Sequence, residues 1–366
     1  KANKCLFVIQ DGVGDRPVPA LGGKTPLEAA NTPHMDSLIR EGSAGLMDII
    51  GPGITVGTDT GHLALFDQDF KNNYYHRGPM EAAGVGIFLN PGEVALRCNF
   101  ATVDSDFNVL DRRAGRIRDE AKALAYSLDG LDISEGAHVV FRSATEHRAV
   151  LVLKGDKLSE DISDSDPGDG SAEQKVLEVT PQSDHSHARR TADLVNRFIQ
   201  RSHLILQEHP VNRQRRERGE FPGNIVLTRG AGIKREYSQI GEKRGLRVAC
   251  GSGECTVLGL ARLTGMTTIV TDDMTGNLDT NLRVKASMAL EALRDHDLVY
   301  LHLKGCDVAG HDKQPQLKRW FIEQTDEMVG QIMEEVSVWG QPYFVFAGDH
   351  STPCELGKHT GDPVPV

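Results

Sequence analysis

The chain has 366 residues and a formal net charge of −11, and 39% of its residues are hydrophobic. This length exceeds the roughly 250 to 300 residues at which a single core usually stops growing, so we expect two domains. The acidic balance argues against nucleic acid or an anionic membrane as a partner, but it leaves room for a local basic pocket that binds a small anion.

The sequence gives little sign of export or of disulfide bonding. No apolar run approaches the roughly 20 residues of a membrane helix, and residues 1–10 are too short for a signal peptide. The six cysteines lie without CxxC spacing, which indicates neither a zinc ribbon nor a disulfide framework. We therefore expect a cytoplasmic protein, and the sequence is compatible with a homo-oligomer.

The first strand is predicted at residues 4–10, an apolar run that ends at Asp11 and Gly12. In open α/β sheets, ligands collect beyond the carboxyl ends of strands, which makes Asp11 a candidate metal ligand. An Asx turn is the structural alternative for this aspartate. Residues 26–39 predict short helical turns that serve as scaffold.

Residues 53–63 predict an extended approach, a sharp turn and a helix that starts near Thr58. A hydroxyl at the start of a helix can attack phosphorus while free backbone N–H groups and the helix dipole stabilise the anion. Thr58 is therefore a candidate nucleophile. A helix cap without chemistry is the alternative.

An arginine-rich stretch lies among three alternating strands predicted between residues 93 and 153. Arg112, Arg113 and Arg116 carry planar guanidinium groups, which suit phosphate and carboxylate ligands. The alternative is a solvent-exposed helix start.

The middle of the chain is predicted to contain a loop, a helix and a further strand. Residues 159–172 have the composition of a mobile surface loop, and residues 184–187 favour a polar loop over a metal site. A helix is predicted over residues 192–206, and the basic run 213–218 is interpreted as a solvent-exposed face. Residues 224–232 repeat the strand-then-glycine pattern of the first strand, so we assign them to the same domain.

The second half alternates helices with apolar strands, which predicts a parallel sheet flanked by helices. Three apolar strands end in acidic or imidazole side chains, and these are Asp11, Asp307 with His311, and Asp349 with His350, followed by His359. In a parallel sheet those ends share one edge. Sets of carboxylate and imidazole suit Mn²⁺ or Zn²⁺, and two such ions can hold the attacking and leaving oxygens of a phosphoryl transfer.

Several short motifs together carry a resemblance. They are Asp11-Gly12, Gly57-Thr58-Asp59-Thr60-Gly61-His62-Leu63, Arg77-Gly78-Pro79-Met80-Glu81-Ala82-Ala83-Gly84, Asn99-Phe100-Ala101-Thr102, Asp111-Arg112-Arg113-Ala114-Gly115-Arg116-Ile117, His147-Arg148-Ala149-Val150, His209-Pro210-Val211-Asn212, Arg229-Gly230-Ala231-Gly232, Lys304-Gly305, Ala309-Gly310-His311-Asp312 and Gly348-Asp349-His350-Ser351-Thr352-Pro353-Cys354. With them the chain resembles the archaeal-type phosphoglycerate mutases that are independent of 2,3-bisphosphoglycerate, which belong to the alkaline phosphatase superfamily.

The resemblance implies an α/β fold with an alkaline-phosphatase-like core, mostly a parallel sheet flanked by helices, and an inserted smaller α+β domain. Residues 1–76 and 220–366 would form the metal-binding domain, and residues 77–219 the inserted substrate clamp with its connecting helix. The implied activity is the interconversion of 3-phosphoglycerate and 2-phosphoglycerate in glycolysis and gluconeogenesis. The expected partner is this small phosphorylated acid.

The resemblance also implies roles for individual residues. One divalent metal would be held by Asp307, His311 and His359, and a second by Asp11, Asp349, His350 and the oxygen of Thr58. Mn²⁺ is expected, with Zn²⁺ or Co²⁺ as alternatives, and no 2,3-bisphosphoglycerate is needed. The substrate would be bound by Arg112, Arg113, Arg116, Arg148 and Lys304, while Asp111 or His147 would move the proton.

The chain departs from the family pattern at three places. Mutases have serine at the position of Thr58, and Asp-Gly where this chain has Asp312-Lys313-Gln314; relatives also continue beyond Val366. Threonine nucleophiles occur in superfamily relatives that hydrolyse phosphodiesters or phosphonates. The alternative is therefore a related phosphoryl or phosphonyl transferase, or a hydrolase, that uses Thr58. A catalytically silent scaffold is a third hypothesis.

Overall fold

The computed structural model describes residues 4–69, 76–133, 136–168, 174–336 and 342–366. The strands are β1 (Cys5–Gln10), β2 (Leu46–Met47), β3 (Val94–Val103), β4 (Val109–Asp111), β5 (Ala137–Ser143), β6 (Arg148–Gly155), β7 (Ile225–Ile233), β8 (Val248–Gly251), β9 (Thr267–Ile269), β10 (Leu298–Leu303), β11 (Tyr343–Ala347) and β12 (Val364–Pro365). The helices are α1 (Pro26–Ala29), α2 (Pro33–Glu41), α3 (Thr58–Leu65), α4 (Arg77–Gly84), α5 (Glu120–Leu128), α6 (Ser186–Glu208), α7 (Pro210–Glu217), α8 (Ile240–Arg244), α9 (Cys255–Leu263), α10 (Leu282–Asp295), α11 (Gly305–His311) and α12 (Pro315–Val336).

The chain divides into two compact units, residues 1–73 with 237–366 and residues 74–236. The first unit contains a five-stranded sheet in the order β11-β1-β10-β8-β9, in which all neighbouring strands are parallel. This confirms the predicted parallel sheet flanked by helices. Because β1 lies between β10 and β11, the carboxyl ends of these three strands meet at one edge of the sheet.

Side chains of the parallel sheet alternate between two buried faces, as expected for strands covered on both sides. Leu6 and Val8 belong to the hydrophobic core that α10 and α12 contribute to. On the other face, the ring of Tyr300 lies 5.2 Å from that of Phe7 and 4.8 Å from that of Phe66. The strand ends are thereby held on a rigid layer.

The second unit contains an antiparallel sheet in the order β4-β3-β6-β5, with β7 paired to β3. Every residue of β3 is buried, because α4 packs against one face of the sheet while α5 and α6 contribute to the core on the other. Antiparallel strands with helices on the faces make this an α+β unit.

The structure places two segments differently from the sequence analysis. Residues 225–233 form β7 in the second unit, although their strand-then-glycine pattern had been assigned to the first domain. The basic run 213–218 is not uniformly exposed, because Arg215 is 6% exposed and binds Glu120 and the carbonyl oxygen of Phe221. The predicted loop 159–172 lies partly outside the described residues.

The described helices include none that is both long and apolar enough to cross a membrane. All six cysteines are free thiols. The predicted polar segment 184–187 is the start of a helix, in which His185 caps α6 by accepting a hydrogen bond from the N–H of His187.

Candidate active site

Elements of the parallel sheet bring the predicted metal ligands to one edge. Asp11 directly follows β1, and Asp349 follows β11 after one glycine. The short helix α11 follows β10 and carries Asp307 and His311 one turn apart on the same face. Residues separated by more than 300 positions therefore meet because their strands are neighbours.

The first ligand set consists of Asp307, His311 and His359. Its ligand atoms lie within 4.8 Å of one another, and Asp307 Oδ1 is 3.2 Å from His359 Nε2 and 3.4 Å from His311 Nε2. The Nδ1 atom of His311 donates to the carbonyl oxygen of Gly357 at 2.9 Å, because a carbonyl can only accept. This leaves the Nε2 lone pair of His311 directed at its partners, as a metal ligand requires.

The second ligand set that the sequence analysis proposed is Asp11, Asp349 and His350. His350 Nε2 lies 3.1 Å from Asp11 Oδ1 and 3.6 Å from Asp349 Oδ2. Asp307 also converges with Asp11 and His350 within 4.8 Å, so it borders both sets. The sequence analysis had assigned Asp307 to the first set alone.

The residues of the two sets fit divalent cations. Asp349 Oδ1 accepts the N–H of Gly12 at 3.1 Å. Its buried Oδ2 atom lies 3.3 Å from His62 Nδ1, whose proton goes to the carbonyl oxygen of Thr58 at 2.7 Å, so Oδ2 keeps lone pairs for a cation. Asp11 and Asp307 add two further buried carboxylates. Buried carboxylates are costly unless cations compensate them, and oxygen with imidazole nitrogen is a donor set that Mn²⁺ or Zn²⁺ accepts.

Thr58 is the first residue of α3 and is 5% exposed. Its Oγ1 atom lies 3.2 Å from His350 Nε2, 3.4 Å from Asp11 Oδ2 and 2.9 Å from Lys304 Nζ. The hydroxyl therefore lies beside the second ligand set and at the amino end of a helix, where backbone N–H groups favour an anion.

The close approach of α3 to the sheet edge depends on a glycine. A Cβ atom on Gly61 would come within 2.5 Å of the carbonyl oxygen of Asp349, so only glycine fits at this position. One turn earlier, the carbonyl oxygen of Thr58 accepts a hydrogen bond at 2.7 Å from the Nδ1 atom of His62. These contacts fix Thr58 relative to Asp349.

Lys304 supplies the positive charge inside the cluster. Its Nζ atom is 2.7 Å from Asp307 Oδ2 and 3.0 Å from each oxygen of Asp11. Burial raises the pKa of Asp11, but Lys304, His350 and the hydrogen bond from His302 together hold that pKa well below its usual value. Burial lowers the pKa of Lys304, whereas Asp11 and Asp307 raise it above its usual range. Both partners are therefore charged at neutral pH.

The second unit contains a separate cluster of basic side chains around His147. Burial is the main reason that the pKa of His147 is held well below its usual value, and Arg148 and Arg113 lower it further. The imidazole is therefore neutral at pH 7. Neutral histidine can accept a proton from a hydroxyl group and return it.

The sequence analysis missed Arg97, which is 7% exposed and belongs to this basic cluster. It lies opposite Arg229 in the pairing of β3 with β7, and its Nε atom is 3.4 Å from Glu81. Burial, with Arg77 beside it, lowers the pKa of Arg97 to about 9. Like charges on facing strands are destabilising, so this arrangement favours binding of an anion. The available signal was a single arginine within the apolar sequence of β3.

The arginine-rich stretch forms a preformed turn. Ala114, Gly115 and Arg116 all have positive φ values, an unusual conformation for the two residues that are not glycine. Asp111 Oδ1 holds the turn by accepting the N–H groups of Arg113 at 2.7 Å and Gly115 at 3.2 Å. Backbone strain of this kind is concentrated at functional sites.

Arg112 and Asp111, two of the predicted substrate residues, are engaged in contacts within the second unit. Arg112 makes a bidentate ion pair with Asp166, with distances of 2.9 and 2.8 Å. The carboxylate of Asp111 is engaged by the turn, as described above. Arg113 is exposed, and Arg116 and Arg148 are half-buried at the surface of the unit.

A parallel α/β unit that places a buried hydroxyl beside two sets of carboxylate and imidazole side chains is typical of metal-dependent phosphoryl-transfer proteins. Comparison with known proteins narrows this class. A family model described as 2,3-bisphosphoglycerate-independent phosphoglycerate mutase matches residues 40–212.

Two relatives of that name share sequence over the whole chain. The chain is 45% identical to the protein from Ignicoccus hospitalis and 43% identical to mutase 1 from Methanocaldococcus jannaschii, covering 100% of this chain and 88% of each relative. A solved structure of a protein from Pyrococcus horikoshii is 33% identical, with a TM-score of 0.81 over 100% of this chain and 86% of its own. The chain belongs to the family of 2,3-bisphosphoglycerate-independent phosphoglycerate mutases.

Proposed function

We propose that this protein interconverts 3-phosphoglycerate and 2-phosphoglycerate, with Thr58 as the nucleophile that carries the phosphoryl group between the two positions. The observation that carries this proposal is the position of Thr58 Oγ1, within 3.4 Å of Asp11, His350 and Lys304. Family membership supplies the substrate, and the six free cysteines are compatible with a reducing cytoplasm as its compartment.

The metal ions are assigned to residues of the two ligand sets. Asp307, His311 and His359 would hold one ion, and Asp11, Asp349 and His350 the other, with Thr58 Oγ1 beside it. When bound, two divalent cations supply the positive charge that favours loss of the hydroxyl proton and stabilises the transferring phosphoryl group. Mn²⁺ is the proposed metal because the family resemblance implies it, and the carboxylate and imidazole ligands suit it.

The side chains then carry out a two-step transfer. Thr58 gives up its hydroxyl proton and Oγ1 forms a bond to phosphorus, while the bond from phosphorus to the substrate oxygen breaks. The released substrate oxygen takes up a proton, which leaves phosphothreonine and glycerate. The other hydroxyl of glycerate next loses its proton and attacks phosphorus, and the bond to Thr58 Oγ1 breaks as that oxygen is protonated again. Lys304 lies 2.9 Å from the Thr58 oxygen and stabilises the negative charge at each step.

The second unit, residues 74–236, is proposed to act as the substrate clamp. The phosphate and carboxylate groups of the substrate are bound by Arg113, Arg116 and Arg148, and Arg97 adds positive charge beside them. His147 is favoured over Asp111 for moving the proton, because its low pKa leaves it neutral. Holding glycerate away from water prevents hydrolysis of the phosphothreonine.

The activity is tested with the purified full chain, Mn²⁺ and 3-phosphoglycerate, with enolase as the coupling enzyme. We expect formation of 2-phosphoglycerate, loss of activity after exhaustive treatment with EDTA, and recovery after Mn²⁺ is added back. Release of inorganic phosphate without 2-phosphoglycerate would instead identify a hydrolase. That second candidate rests on Thr58, which stands where the mutases have serine.

Substitution of Arg113 tests the clamp. Arg113→Ala should raise KM for 3-phosphoglycerate by about 10- to 100-fold, since one charge-assisted pair contributes roughly 1.5 to 3 kcal/mol. The melting temperature should stay within a few degrees because the side chain is exposed. Arg213→Ala, at another exposed arginine, is the matched control. A large fall in melting temperature with unchanged KM would show that Arg113 only supports the fold.

A further inference from the structure

A buried chain of hydrogen bonds lies directly behind Asp11. Ser252 Oγ is 2.9 Å from His302 Nδ1, and His302 Nε2 is 2.8 Å from Asp11 Oδ2. All three side chains are fully buried, with 0% exposure. We propose that His302, fixed by Ser252, is a positioning residue that orients Asp11 as a ligand of the second metal; this rests on the proposed function, in which Asp11 binds that metal.

The direction of each hydrogen bond follows from the partners. Burial lowers the pKa of His302, so the ring is neutral and carries one proton, which the accept-only carboxylate of Asp11 places on Nε2. Ser252 Oγ accepts the N–H of Glu254 at 3.0 Å and donates its own proton to His302 Nδ1. Ser252 thus stabilises the tautomer of His302 that binds Asp11.

The hydrogen bond distinguishes the two oxygens of Asp11. His302 Nε2 binds Oδ2, which also lies 3.4 Å from Thr58 Oγ1, while Oδ1 lies 3.1 Å from His350 Nε2. Lys304 Nζ is 3.0 Å from both oxygens, so His302 adds to Oδ2 a hydrogen bond that comes from β10, behind the site. A carboxylate held in this way cannot rotate away from the cation. Residues that orient metal ligands commonly change metal affinity by 10- to 100-fold when they are replaced.

The backbone around His302 is fixed independently of the metal. Its carbonyl oxygen accepts a hydrogen bond at 2.9 Å from the buried amine of Lys285. The parallel pairing of β10 with β8 places Leu301 beside Gly251, the residue before Ser252. His302 lies in β10, Ser252 follows β8 and Asp11 follows β1, so the pairing of these strands holds the three side chains together.

The test measures Mn²⁺ binding to the full chain by calorimetry and by electron paramagnetic resonance, without an activity readout. Wild type should bind two ions. His302→Leu should lower the affinity for one of the two ions by about 10- to 100-fold and leave the affinity for the other unchanged. His302→Gln should recover most of the affinity, because its side-chain amide can donate from nearly the same position. Ser252→Ala should lower the affinity for the same ion by a smaller factor.

A purely structural role for His302 predicts different results. In that case His302→Leu would lower the melting temperature of the metal-free protein while both ions bind at wild-type affinity, or it would lower the affinity for both ions by the same factor. Either result overturns the proposal. If His302→Leu does not fold, Ser252→Ala decides, and unchanged affinity for both ions overturns it. His203→Leu, at a buried histidine of the second unit, is the control. A wild type that binds no Mn²⁺ would contradict the proposed function itself.

Discussion

Replacing Thr58 by alanine is expected to abolish mutase turnover, with a loss on the order of 10⁴-fold or more, because no other group takes over from a deleted nucleophile. The fold should persist, since Thr58 is the first residue of α3 and alanine is a good helix former. The measurement compares enolase-coupled rates and melting temperatures of the variant and wild type. Binding of Mn²⁺ should survive in part, because Asp11 and His350 remain.

Thr58→Ser is the matched control for this prediction. It keeps the attacking oxygen and removes only the methyl group, so turnover should stay within about 10-fold of wild type. Together the two variants distinguish the effect of losing the hydroxyl group from the effect of changing the shape of the side chain. Turnover by Thr58→Ala at the wild-type rate would exclude Thr58 as the nucleophile.

The second large effect is expected at Asp307, which converges with both ligand sets. Asp307→Asn removes a charge shared by two metal positions, so affinity for both ions and turnover should fall by at least about 100-fold. The variant should also lose the rise in melting temperature that Mn²⁺ gives to wild type, because a ligand stabilises a folded protein only when it binds to it. Thermal unfolding with and without Mn²⁺ measures this directly.

The control for Asp307 is Asp295→Asn, an exposed acid at the end of α10. It should retain the full stabilisation by Mn²⁺. A variant at Asp307 that still gains the wild-type shift in melting temperature would show that Asp307 binds neither ion.

Much of the site could be predicted from sequence because strand ends of a parallel sheet meet at one edge. Asp11, Asp307 and Asp349 each follow an apolar strand. Asp11 and Asp307 converge with His350, and Asp349 Oδ2 lies 3.6 Å from His350 Nε2. The start of α3 at Thr58 followed from the glycine turn and the apolar residues after it. These are local patterns, and local patterns specify elements well.

The remaining features depend on contacts that sequence patterns do not encode. Apolar alternation predicts β7 as a strand but does not specify its partner, so its pairing with β3 had to come from the structure. The burial of Arg215 follows from the neighbouring elements that surround α7, and the sharing of Asp307 follows from the placement of α11 against both ligand sets. His302 was hidden inside a strand that reads as apolar.

The most direct measurement is to quench the Mn²⁺-loaded protein during turnover of 3-phosphoglycerate and to map phosphorylated peptides by mass spectrometry. One phosphoryl group on Thr58, absent without substrate and absent in Thr58→Ala, is the expected result. Steady formation of 2-phosphoglycerate by a protein that carries the phosphoryl group on another residue would contradict the assignment of Thr58 as the carrier.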